Sequence, residues 1–258
     1  MTGVESSSAD LVRVGGCSIR SAAMADIPPR RIPEATVARL PVYQRILLES
    51  VRAGTTTVSS DQLADLARVN ASKVRKDLSF LGSFGTRGSG YDARFLLAQI
   101  DRELGLDRDW PVVIVGLGNL GRALANAPGF SSRGFRISGL FDVDPALVGT
   151  TIADIEVHDV DELEARSLAD PPAVGVIATP ADSAQSVADR LVPTGVGALL
   201  NFAPRVLHVP PHVLLRHVDL SIELQVMSFY LSHRDHPGSA AASSPLPHAV
   251  GLSVADPG

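Results

Sequence analysis

Hydrophobic positions change their spacing once along the chain, near Trp110. Before it, apolar residues recur every three or four positions, the spacing of helices with one buried face. Pro33 and Glu34 suit a helix start, and Pro41 breaks that segment and opens a second helix over 42–53, ending at Gly54. Ser59 and Gln62 are spaced as in a capping box and predict a short helix over 60–67. Arg68-Val69-Asn70 reads as a tight turn into a helix over 71–81 that stops at Gly82. On that helix Val74, Leu78 and Leu81 share a face, and Ser72, Lys73, Arg75, Lys76 and Ser79 fall mostly elsewhere. GSFGTRGSGY, residues 82–91, holds too many glycines for a helix and reads as a β-hairpin with a mobile tip around Arg87. Leu96, Leu97, Ile100 and Leu104 place a further helix behind it.

After Trp110 the pattern becomes short apolar runs at 111–115, 136–141, 173–178 and 198–202, with helical stretches at 119–127, 159–167 and 181–192 between them. That alternation predicts a doubly wound α/β fold, a parallel sheet buried on both faces. Residues 1–33 and 236–258 are poor in periodic apolar positions and are expected to be a disordered arm and tail. The folded chain then divides into a helical domain over 34–107 and a sheet domain over 108–216.

Composition narrows the function classes. Of 258 residues, 45% are hydrophobic and 20% charged, enough for one large or two modest domains. No run of eighteen apolar residues suggests a membrane span, and the N-terminus lacks the pattern of a secretory signal, so a cytoplasmic protein is expected. A single cysteine, Cys17, excludes an intrachain disulfide framework, and no metal-ligand spacing is present. The net charge of −5 is uneven: residues 68–94 carry six basic side chains against two acidic ones. The chain's only two lysines, Lys73 and Lys76, lie in that stretch.

Two constellations carry chemistry. Gly116-Leu117-Gly118-Asn119-Leu120-Gly121 is a G-x-G-x-x-G turn that follows a predicted strand and opens a predicted helix. Its glycines allow a tight turn, backbone approach to a pyrophosphate and close helix–strand packing. Asp142, 21 residues beyond Gly121 and at the end of the next strand, can accept hydrogen bonds from an adenosine ribose and favours NAD over NADP. Asp144, nearer Pro145, is the weaker candidate. Thr179, Pro180 and Asn201, after or at the ends of later strands, complete the expected cofactor-binding set. The plainer alternative is a structural glycine turn with no ligand.

The second constellation is the 60–67 helix, turn and 71–81 helix, which match a helix-turn-helix, with the hairpin as a wing. Ser72, Lys73, Arg75, Lys76 and Ser79 could meet a major groove, and Arg87 a minor groove or backbone. The alternative is a solvated basic helix in a protein-binding module. A dehydrogenase would also need a substrate domain and a proton-transfer residue, and none of the seven histidines has a partner at a recognisable catalytic spacing. No catalytic residue is assigned. A nucleotide site without catalytic equipment, joined to a DNA reader, points to a sensor. An NAD-dependent oxidoreductase, or a CoA- or nucleotide-binding module fused to an interaction domain, stays open as an alternative.

IPEATVARLPVYQR (32–45), VRKDLSFLGSFGTRGSGYD (74–92), GLGNLGRAL (116–124), FDVDP (141–145), NFAP (201–204) and VDLSIELQ (218–225) together resemble the Rex family of bacterial redox-sensing transcriptional repressors. The resemblance implies a homodimer that binds an inverted-repeat operator in double-stranded DNA when NADH is scarce and releases it when NADH binds. It places Arg75 and Lys76 on the recognition-helix pair, and pairs Arg45 with Asp219 across the dimer. Leu220 falls near the nicotinamide, and residues 217–235 form a C-terminal helix exchanged between subunits. The chain departs from the family at Ala127, where a tyrosine that helps tell NAD+ from NADH is common.

Overall fold

The computed structural model describes residues 32–82, 90–130 and 133–233. Most of the expected arm, all of the expected tail, and the hairpin tip with Arg87 lie outside these residues.

The helical region begins with α1 (Glu34–Val37) and α2 (Leu40–Arg52), where Pro41 stands in the first turn and needs no N–H partner. Leu40, Tyr43, Ile46 and Leu47 form the buried stripe of α2. Next come β1 (Thr57–Val58), α3 (Ser60–Ala67) and α4 (Ala71–Leu81). The capping box is present: Ser59 Oγ accepts from the Gln62 N–H at 3.0 Å, and Gln62 Oε1 accepts from the Ser59 N–H at 2.8 Å. Arg68 ends α3 in the left-handed conformation, φ 54°, and Asn70 caps α4 by accepting from the Lys73 N–H at 2.7 Å. Leu63, Val74, Leu78, Leu96 and Ile100 close the core of this region.

Most of the hairpin expected over 82–91 lies outside the described residues. Tyr91–Asp92, strand β2, pairs antiparallel with Thr57–Val58, a partner more than thirty residues upstream, so the root of the expected wing is closed from outside the glycine-rich segment. Asp92 then caps α5 (Ala93–Glu103) by accepting from the Phe95 N–H.

The sheet contains β3 (Trp110–Val115), β4 (Phe135–Asp142), β5 (Thr151–Ile152), β6 (Ile155–Asp159), β7 (Val174–Ile177), β8 (Ala198–Asn201) and β9 (Leu214–His217). Its order is β5-β6-β4-β3-β7-β8-β9. Without β5 the strands run 3-2-1-4-5-6 in chain order and are all parallel, the arrangement of dinucleotide-binding folds. The fully parallel expectation fails at the edge, where β5 is antiparallel to β6. Strands β5, β6 and β9 were not among the expected ones. The helix expected over 159–167 is a 3-10 turn (Val160–Glu162) and a short α7 (Leu163–Ser167) after β6 has ended at Asp159.

Strand β3 shows why the sheet needs cover on both sides. Val112 and Ile114 pack with Leu117 and Ala125, the latter on α6 (Asn119–Ala125). Val113 and Val115 pack on the opposite face with Ala184, Val187, Ala188 and Leu191 of α8 (Ala181–Leu191). The last helix, α9 (Leu220–Ser232), buries none of its residues within the chain. Among the described residues no helix is long and apolar enough to cross a membrane, and no group of His, Cys, Asp or Glu could hold a metal ion.

Candidate cofactor and nucleic-acid sites

The glycine turn sits at the carboxyl end of β3, beside the carboxyl end of β7, where the strand order reverses. Such a switch point opens the crevice in which nucleotides bind. Each glycine has a different reason. Gly116 has φ +95°, and a Cβ there would lie 2.7 Å from the Ala178 carbonyl oxygen. At Gly121 a Cβ would fall 1.9 Å from the Gly116 carbonyl oxygen, so α6 can start here only without one. At Gly118 a Cβ would meet nothing within 4 Å. Gly118 is the N-cap of α6 and offers no side-chain cap. Protein packing therefore explains Gly116 and Gly121, whereas at Gly118 it leaves open space.

Thr179 follows β7, and its Oγ1 is buried with no hydrogen-bond partner, the only such side-chain atom among the described residues. Its methyl would lie 2.8 Å from a Cβ on Gly116, so the hydroxyl borders the turn. Pro180 is the N-cap of α8. Asn119 and Leu120, in the first turn of α6, are exposed. An orphaned hydroxyl and an open glycine N-cap at one switch point fit a polar ligand with a diphosphate.

Leu117 and Asn201, two of the predicted residues, have most of their side-chain contacts within the protein. Leu117 buries its side chain in the core, and only its backbone faces the turn. Asn201 is fully buried, with its amide committed to protein groups. Its Oδ1 accepts from the Ala203 N–H, and its Nδ2 meets the Ala203 and Arg205 carbonyl oxygens and His217 Nδ1 at 3.0 Å. It shapes the loop after β8, and His217, unmarked in the sequence, is its partner. Asp142 accepts from the Leu117 N–H at 2.5 Å and from the Val143 and Asp144 N–H groups at 2.7 and 2.9 Å. It ties the glycine turn to the end of β4, and a carboxylate with about four acceptor positions keeps capacity for a sugar hydroxyl.

Ala127 lies past the other end of α6, about 10 Å along the helix axis from the turn. With Phe130, Phe135, Ile137 and Ile155 it lines a cavity of about 390 Å³ at the amino ends of β3 and β4.

The second surface is α4. Val74, Asp77 and Leu78 are buried; Ser72, Lys73, Arg75, Lys76 and Ser79 are exposed on the other side. Ser79 donates its hydroxyl to the Lys76 carbonyl at 2.7 Å. The helix is held by an anchor the sequence did not reveal. Asp77, 2% exposed, accepts from Arg39 Nε and Nη2 at 2.7 Å each, from the Tyr43 hydroxyl at 2.8 Å and from the Thr36 hydroxyl at 2.9 Å. Burial alone would raise the Asp77 carboxyl, but hydrogen bonds from Arg39, Tyr43 and Thr36 outweigh it and hold it below the usual carboxylate range. Burial, followed by the bond to Asp77, pushes the Tyr43 hydroxyl up. Separations of 34 to 41 residues left no local signal for this cluster.

Arg45 is exposed on α2. Asp219 is the N-cap of α9: its Oδ1 accepts from the Ser221 N–H at 2.8 Å and the Ser221 hydroxyl at 2.7 Å, and these bonds lower its carboxyl pKa. Leu220 is exposed.

Comparison with known proteins gives matches over both regions of the chain. Residues 31–79 match the family model described as a putative DNA-binding protein N-terminus, and residues 107–205 match a CoA binding domain. A redox-sensing transcriptional repressor Rex of Streptomyces avermitilis is 56% identical over 89% of this chain and 90% of its own length. The Rex repressor of Desulfitobacterium hafniense is 48% identical over 79% of this chain and 97% of its own. A crystal structure of RSP in complex with β-NAD+ and operator DNA is 39% identical, covers 78% of this chain and 93% of its own, and superposes with a TM-score of 0.75. RSP bound to β-NADH gives a TM-score of 0.71 at 38% identity. With 56% identity over 89% of its length to one such repressor, the chain belongs to the Rex family of redox-sensing transcriptional repressors.

Proposed function

We propose that two copies of this chain bind an inverted-repeat operator, each through the exposed face of α4, and that NADH at the glycine turn releases the DNA. The open N-cap at Gly118 carries this reading: no described residue fills the position, whereas a pyrophosphate approaching backbone N–H groups would. Gly118, Asn119 and the start of α6 would hold the diphosphate, Asp142 the adenosine ribose, and Thr179 a polar group near the β7 end. The cofactor, when bound, supplies a ring whose charge differs by one unit between its oxidised and reduced forms.

The sensing group on this chain is Asp219, with Leu220 beside it, paired with Arg45 of the second copy. A carboxylate near the ring favours the cationic form and is freer to pair elsewhere when the ring is neutral. Such a switch works only through differential affinity for two arrangements of the dimer, and a hundredfold change in DNA affinity corresponds to about 2.7 kcal/mol. For dimerisation, α9 exposes Leu224, Met227, Phe229 and Leu231, apolar area that an exchanged helix would cover. The folded divisions proposed are 34–107 for DNA, 108–216 for the cofactor and 217–235 for pairing of subunits.

The test is fluorescence anisotropy on an inverted-repeat duplex titrated with NADH, NAD+ and CoA in turn. Release by NADH alone is expected. Release by CoA would favour the reading suggested by the CoA-binding family match, and indifference to all three would overturn the sensor.

A further inference from the structure

Of the three cations on the exposed face of α4, Arg75 alone has its charged group held by side chains among the described residues. Its Nη1 donates to Ser60 Oγ at 2.9 Å, and its Nη2 lies 3.5 Å from Ser72 Oγ, a long contact. Its charge also acts on the half-buried Tyr91 hydroxyl at the root of the expected wing. Ser60 is the first residue of α3, and the neighbouring Ser59 supplies the cap, so the Ser60 hydroxyl is not used to start the helix. The capping box immobilises that first turn, and the Ser60 side chain inherits its rigidity.

A free arginine loses much rotamer entropy when it meets a base, and a flexible one can reach several bases. A guanidinium has five N–H donors. Two face Ser60 and Ser72, and the three that remain suffice for the two-point contact that reads guanine N7 and O6 in a major groove. We propose that Ser60 is a positioning residue for sequence readout: it holds the Arg75 guanidinium in one pose and so sets which base pair is accepted at that step of the operator. Lys73 and Lys76 would supply contacts of looser geometry. This rests on α4 being the DNA-reading helix.

The experiment uses the full chain and an operator selected by it from a randomised inverted-repeat library, with every single-base variant measured by anisotropy at several salt concentrations. Ser60→Ala should lower selectivity at one base pair per half-site by about fivefold and leave the other positions, the salt slope and NADH affinity unchanged. Ser60→Thr, which keeps the hydroxyl, should restore selectivity. In an Arg75→Ala background Ser60→Ala should have no further effect. Unchanged selectivity in Ser60→Ala overturns the proposal. So does a shallower salt slope with a loss additive to that of Arg75→Ala, which would make Ser60 a direct phosphate contact. If Arg75→Ala itself binds the operator normally, the reading of α4 falls, and this inference with it.

Discussion

Replacing Gly118 by alanine separates what the glycine turn does for the fold from what it does for a ligand. Gly118 has φ −64° and ψ −164°, extended backbone, and a Cβ there has no neighbour within 4 Å. Alanine narrows the unfolded ensemble but caps a helix less well than glycine, so the two effects offset and stability should stay within about 1 kcal/mol of the parent. Gly121→Ala is the contrasting control. Its methyl would sit 1.9 Å from the Gly116 carbonyl oxygen, so α6 must move off the turn. Overpacking of this kind costs about 1–3 kcal/mol. For the ligand the order reverses in interest: at Gly118 the new methyl occupies the approach to the pyrophosphate. NADH binding should weaken at least tenfold, about 1.4 kcal/mol. Thermal melting and calorimetric NADH titration read the two effects apart. Gly118→Ala should melt close to the parent temperature, bind NADH poorly and keep its operator when NADH is added. Parent-like NADH affinity in a folded Gly118→Ala protein would refute the reasoning.

Further outcomes follow from the other sites. Asp77→Ala leaves the Arg39 charge and the Tyr43 and Thr36 hydroxyls without their acceptor and should cost about 3–5 kcal/mol in a denaturant titration. Because the folded Asp77 pKa is depressed, its contribution is complete above the unfolded value near 3.9 and fades as pH falls through the lower folded value. Melting of the parent should therefore lose an acid-dependent component that Asp77→Ala lacks. Lys76→Ala should weaken operator binding by about 1–3 kcal/mol if Lys76 reads a base. A gel shift without loss would remove it from the interface. Asp219→Asn keeps the α9 cap, since asparagine caps as well as aspartate, but removes the charge. NAD+ affinity should fall relative to NADH affinity, and an unchanged ratio of the two by calorimetry would exclude Asp219 as the sensing group. Leu224→Glu with Met227→Glu should convert a dimer to monomer in light scattering, and a dimer that persists would place the subunit contact elsewhere.

What could be read from the chain alone was what neighbouring residues decide. The Ser59–Gln62 box spans three residues, the glycine turn six, and the polar face of α4 repeats within one helix; each is a short-range rule and each is present in the structure. Pairing across long separations was not legible. Strands β5 and β9 are too short and too exposed for a hydrophobic signature and exist because a neighbouring edge offers hydrogen bonds. Tyr91 finds Val58, Asp77 finds Arg39, and Arg75 finds Ser60 only once the helices have packed. Asn201 ends a strand at the crevice, and its long-range bond to His217 exists only in the folded chain. The reason is that backbone propensity, capping and glycine geometry act over a few residues, whereas the direction of a buried polar side chain depends on which distant group satisfies it. Sequence thus determined the elements with a local signature and the two kinds of chemistry; tertiary structure decided the edge strands and which residues hold the sites in place.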